Sequence, residues 1–110
     1  MYDPAKTARW CREAAEQGQS DSQCCLGYML QDGVGVKKSE VEAMRWFKLG
    51  AALGHPQGQC GLAMGLLRRS NRARKNDAEA VRYLRKAANQ GLKDAQVSLD
   101  HLRQSGRGFA

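Results

Sequence analysis

A chain of 110 residues, 42% hydrophobic, 6% aromatic and 26% charged, is long enough for one domain with a modest core. Two prolines and few β-branched residues favour helix over sheet, and a net charge of +7 favours acidic partners. No apolar run reaches the ~20 residues of a bilayer span, and the opening Met1-Tyr2-Asp3-Pro4 has no apolar signal-peptide centre, so a chain starting natively at Met1 is expected in the cytoplasm.

Asp3 as N-cap with Pro4 at the first helical position predicts a helix over 4–17, ended by Gly18. Ser20 with Gln23 has capping-box spacing and opens a helix over 21–31, which Gly33-Val34-Gly35 closes. Ser39 with Glu42 opens a third over 39–53, ended by Gly54, and Pro56 opens a fourth over 56–68. Asn76 with Glu79 opens a fifth over 77–90, ended by Gly91; the sixth runs over 93–104. Helices this short are unstable alone in water, so their stability has to come from stacking.

The chain also repeats itself. Trp10, Trp46 and Tyr83 begin three segments in register; Gly18, Gly54 and Gly91 follow at equal distance, then Gln23, Gln59 and Gln96, then Leu26, Leu62 and Leu99. The aromatics, recurring at one repeat position, are expected in the packing between helices and not on a stacking platform.

Ala14-Ala15-Glu16-Gln17-Gly18, Leu26-Gly27, Gly33-Val34-Gly35-Val36 and Ala43-Met44-Arg45-Trp46 resemble the Sel-one-like repeat family, a relative of the tetratricopeptide repeat. Ala80-Val81-Arg82-Tyr83 through Gln90-Gly91 and Ala95-Gln96 repeat the signature, so the likeness spans Asp3 to Gly108. It implies an all-α, right-handed α-solenoid of about three antiparallel helix pairs, one domain over 1–110, whose concave face binds other proteins. Many members are bacterial adaptors, and others serve in membrane-associated complexes. Two places depart from the pattern. Arg69 and Asn71 stand where Gly33 and Gly35 stood, and Asp100 and Arg103 give the last helix the polar outer face of a cap. The repeat also stops after Gly106-Arg107-Gly108, which fits a piece of a longer array or a minimal protein; open ends allow a monomer or end-to-end self-association.

Catalytic chemistry finds no support in the pattern. Cys11 shares its position with Phe47 and Leu84, and Cys24 and Cys60 share theirs with Val97, so these thiols read as small core hydrophobes. Cys25, aligned with Gly61 and Ser98, is expected exposed or in a tight spot. A disulfide such as Cys11–Cys24 and a metal site are the lesser readings; the regular cysteine pairing that staples helix pairs in some secreted relatives is absent. His55 and His101 fall on different units and read as solvated surface groups. No enzyme activity, metal or cofactor is expected.

Charge is uneven. Residues 1–67 balance, while 68–86 hold Arg68, Arg69, Arg72, Arg74, Lys75, Arg82, Arg85 and Lys86 against only Asp77 and Glu79. The first five fall in an expected loop, 68–75, which reads either as solvated variable surface or as a contact. An acidic protein, held by the concave face and this loop, suits an adaptor or inhibitor. A small nucleic-acid-binding regulator using 68–86 is the alternative, though no aromatic is interleaved within 68–75 and no nucleic-acid motif accompanies it. An anionic membrane surface ranks third, without an amphipathic insertion helix. Tyr28, Met29 and Met64, just after the repeat leucine, are contact candidates or inter-repeat packing.

Overall fold

Local capping sets where the helices begin. The computed structural model describes residues 3–69 and 74–106, with the side chains of Arg69, Arg74 and Lys75 outside that description. Six helices follow in order: α1 (Pro4–Glu16), α2 (Ser20–Asp32), α3 (Glu40–Ala52), α4 (Pro56–Arg69), α5 (Arg74–Asn89) and α6 (Lys93–Ser105). The Asp3 carboxylate accepts the Ala5 and Lys6 N–H groups at 3.1 and 3.4 Å, and the Ser39 hydroxyl accepts that of Glu42 at 3.2 Å. The other two expected caps differ. Ser20 is already the first residue of α2, behind a Gln19 that makes no side-chain cap. Asn76 lies inside α5, which begins two residues earlier.

The three turns at Gly18, Gly54 and Gly91 hold glycine at φ 91°, 82° and 93°, a region where a Cβ is disfavoured. Each reverses the chain within three residues, so the flanking helices run antiparallel. Gly33 stops α2 in the same left-handed region, at φ 71°. Its repeat counterpart, Arg69, is still helical, the last residue of α4. With the early start of α5, this corrects the expected loop over 68–75: Arg68 and Arg69 end α4, and Arg74 and Lys75 begin α5. Arg72 lies outside the described residues.

Every helix packs on its neighbour in sequence, and α2 also touches α4 directly. The resulting stack measures 45 × 26 × 24 Å, the elongation of a solenoid. One core cluster joins Leu26, Leu30, Ala43, Met44, Phe47 and Leu62. A second joins Cys60, Ala63, Ala80, Leu84, Ala95, Leu99 and Leu102, and Leu66 and Tyr83 border both. Fully burying each leucine, methionine or phenylalanine among them stabilises by about 1.5–3 kcal/mol.

The expected role of the repeat aromatics needs correction. Trp46 and Tyr83 are half-buried against the core, but Trp10 is 62% exposed, with the Lys6 ammonium 5.5 Å from its ring. The residues after Trp46 and Tyr83 fill the interior instead: Phe47 and Leu84 are 0% exposed. Cys11, after Trp10, is only half-buried, which corrects its expected place in the core. The physical reason lies in the stack. Trp46 and Tyr83 have helices on both sides, whereas among the described residues nothing packs before α1.

Candidate functional site

The row of even-numbered helices carries a surface groove. Between α4 and α6 lies an opening of about 500 Å³ lined by Met64, Leu67, Arg68, Val97, Ser98, His101 and Leu102. Its floor is apolar. Met64 is 37% and Val97 68% exposed, which is unusual for side chains of this type facing one opening. Ser98 Oγ lies 3.8 Å from the Met64 sulfur, so the two walls meet at the base. The Arg68 guanidinium stands at the rim and donates to Gln31 Oε1 on α2 at 2.5 Å, with His101 exposed on the other wall.

Val97 escaped the sequence reading because its repeat counterparts are core. Cys24 is 2% and Cys60 6% exposed. Cys24 is covered by the next two helices: a Cβ on Gly50 of α3 or Gly58 of α4 would stand 2.6 or 3.1 Å from its sulfur. No described helix covers α6 in that way. The register shows this position as core only where a following helix covers it, and no described helix covers it on α6.

The eight basic residues of 68–86 do not form one patch among the described side chains. Arg68 belongs to the groove. Arg82, Arg85 and Lys86 are exposed on α5, opposite the Ala80, Leu84 and Ala87 edge that packs on α4 and α6, and Lys86 lies 5.5 Å over the Tyr83 ring. Of the three uncharged candidates, only Met64 faces the groove. Met29 is buried at 7% exposure. Tyr28 is half-buried, its ring edge-on to Phe47 at 4.8 Å and its hydroxyl donating to Gln57 O at 3.3 Å. Burial, first, and the nearby Cys60, Cys24 and acidic groups push the Tyr28 phenol well above its ordinary value. Both residues therefore serve inter-helix packing here.

The histidines and thiols separate in the same way. His55 is not simply solvated: its Nδ1 accepts the Gln57 N–H at 3.2 Å at the start of α4, and its Nε2 bonds to Asp21 Oδ1. Cys24 and Cys60 are buried and Cys25 is exposed. Desolvation, then Asp21, pushes the Cys24 thiol up to about 11; desolvation, then Asp94, raises Cys60. The thiol that meets Cys11, at 3.4 Å, is Cys25 and not the Cys24 of the lesser disulfide reading. Among the described residues no three His, Cys, Asp or Glu side chains converge as metal ligands, and no helix is long and apolar enough to cross a membrane.

Comparison with known proteins agrees with this geometry. A Sel1 repeat protein from Oxalobacter formigenes superposes with a TM-score of 0.76 at 26% identity, over 94% of this chain and 42% of its own. The c5321 protective antigen of uropathogenic Escherichia coli, which displays an SLR fold, superposes with a TM-score of 0.57 at 24% identity, over 98% of this chain and 31% of its own. The chain thus spans less than half the length of either. The Sel1 repeat family model matches residues 2–19, 20–55 and 56–92, which assigns α1 to the end of one repeat and α2–α3 and α4–α5 to two whole ones. The fold is a right-handed α-solenoid, and the chain belongs to the Sel1 repeat family.

Proposed function

We propose that this chain is a protein-interaction scaffold, an adaptor or inhibitor, that grips an acidic protein segment in the groove between α4 and α6. Sel1 repeat proteins generally act as protein–protein interaction scaffolds. The observation that carries the finer reading is the pairing of an apolar floor, Met64, Val97 and Leu102, with the Arg68 guanidinium at its rim. An apolar side chain of a partner gains from leaving water on that floor, while a carboxylate beside it meets Arg68. Arg69, Arg72, Arg74 and Lys75 extend the positive charge along the sequence and would steer an acidic partner during approach. The nucleic-acid alternative is less well supported. A polyanion needs a continuous basic track, and Arg82, Arg85 and Lys86 sit on α5 and line none of the groove.

The test places a photo-crosslinking residue at Val97 in the full chain and irradiates lysate of the native host, with and without nuclease. A discrete protein adduct that survives nuclease, and is lost in Met64→Glu and Arg68→Glu backgrounds that keep the helical circular dichroism signal, is expected. Adducts that vanish with nuclease would transfer the function to nucleic acid. Adducts indifferent to both substitutions would remove the groove from the account.

A further inference from the structure

The repeat geometry places one contact three times between successive repeats. Phe47 of α3 lies against Gly61 of α4, where an added Cβ would stand 2.5 Å from the ring. By repeat register the matching positions are Leu84 of α5 with Ser98 of α6, and Cys11 of α1 with Cys25 of α2. A large side chain against none, a medium one against a small one, and two thiols are three ways of filling the same gap. The third brings the Cys11 and Cys25 sulfurs to 3.4 Å. Their opposition is thus imposed by the stacking of helices and does not depend on a mobile loop. Cys25 is exposed and Cys11 half-buried, so a small reagent can reach the pair. Cys24, adjacent in sequence, points elsewhere and is closed in beside Gly50 and Gly58.

We propose that Cys11 and Cys25 are a reversible disulfide site, oxidised by a small-molecule disulfide such as oxidised glutathione, that ties α1 covalently to α2. Cys25, a thiol that burial and the neighbouring Cys11 push up to about 11, gives its proton to water. Its sulfur attacks one sulfur of oxidised glutathione, forming a mixed disulfide and expelling one glutathione thiolate. Cys11 gives its proton to water, attacks the Cys25 sulfur and expels the second glutathione thiolate. Two protein thiols are oxidised, and one glutathione disulfide is reduced to two thiols. The sulfurs must close from 3.4 Å to about 2.05 Å, a movement that side-chain rotation can supply. Because the match boundary falls at residues 19 and 20, the bond joins one repeat to the next.

The structural consequence falls on an end helix of the described stack. Among the described contacts, α1 packs extensively on α2 alone, with the Arg12–Glu42 ion pair at 3.0 Å reaching α3. Closing a loop of this length constrains the unfolded chain, and the oxidised form should melt higher by roughly 5–15 °C.

Incubation of the full chain with oxidised glutathione, followed by alkylation and peptide mapping, tests the site. The expected result is a loss of two hydrogens, a link between the tryptic peptides Trp10–Arg12 and Glu13–Lys37, the higher melting temperature, and reversal of all three by dithiothreitol. Cys24→Ala should behave like the parent, whereas Cys11→Ser and Cys25→Ser should stop at a glutathione adduct or stay reduced. A link that Cys24→Ala abolishes, chain-to-chain dimers, or glutathione adducts accumulating on the parent without the internal link would each overturn the proposal.

Discussion

Two glutamines at one repeat position meet different fates, and the difference traces to a single neighbour. Gln59 is buried, and its Oε1 accepts from Gln90 Nε2 at 3.0 Å, while the same amide group of Gln90 reaches Gly54 O at 3.0 Å. Gln23 is equally buried and donates from Nε2 to Ala15 O at 3.2 Å, but its Oε1 has no partner among the described residues. The residue that matches Gln90 in the preceding repeat is Leu53, 62% exposed. A buried acceptor without a donor costs about 1–3 kcal/mol. Leu53→Gln should bring an amide to Gln23 Oε1 and Gly18 O, as Gln90 does one repeat on, and stabilise the fold by about 0.5–1.5 kcal/mol. The reverse change, Gln90→Leu, should destabilise by about 1–3 kcal/mol. Urea unfolding reads both as midpoint shifts at constant slope; an unmoved midpoint in Leu53→Gln would mean that the Gln23 carbonyl does not lack a donor.

At the scale of helices, the interior is organised by the residue after the repeat aromatic. Phe47 fills a gap bounded by Gly27 of α2 and Gly61 of α4, where added Cβ atoms would stand 2.6 and 2.5 Å from its ring. Phe47→Ala should therefore cost about 3–5 kcal/mol. Trp10→Ala removes an exposed ring and a solvated Lys6 contact, and should cost only about 0.5 kcal/mol. Thermal melts of the two variants decide it, and equal losses would contradict this packing. The number of helices, their order and the three glycine turns were legible because short-range capping and αL geometry write them into the sequence directly. The register even grouped Cys11 with Phe47 and Leu84. What it could not supply was which of two neighbouring positions faces inward, since Trp46 and Phe47 are both large and differ by one 100° step around the helix. Helix ends at Arg69 and Arg74 were misread for a related reason: losing a glycine removes a stop signal without adding a turn. At the candidate site, Arg68 and Met64 were visible as unusual surface types, whereas Val97 looked like core until the stack was seen to leave α6 uncovered.

Across the whole molecule, the buried thiols and Tyr28 couple the stability of the stack to alkaline pH. Cys24 and Cys60 occupy the same repeat position, and Cys24 sits where α2, α3 and α4 meet. Burial keeps both thiols protonated in the fold, Cys24 up to about 11 against an ordinary 9.0. The Tyr28 hydroxyl is held protonated past its ordinary 10.0 in the same way. In the unfolded chain each ionises at its ordinary value, so between those values and the raised ones the unfolded state binds fewer protons. Stability then falls as pH rises. The Cys24 contribution is fully present below about pH 9 and is lost as pH climbs through about 11, worth on the order of 2 kcal/mol. That of Cys60 falls in the same direction, and that of Tyr28 begins to fall only above its ordinary 10.0. Urea midpoints measured from pH 8 to 11 should show this decline. A Cys24→Ala, Cys60→Ala variant should start less stable at pH 8, because two packed sulfurs are gone. From there it should decline less steeply, retaining the shares that belong to Tyr28 and Cys25. Burial and the neighbouring Cys11 push the Cys25 thiol up to about 11 as well. Parallel curves for parent and variant would show that the two thiols ionise in the fold as they do in the open chain, and that the core of the stack is wetter than its burial indicates.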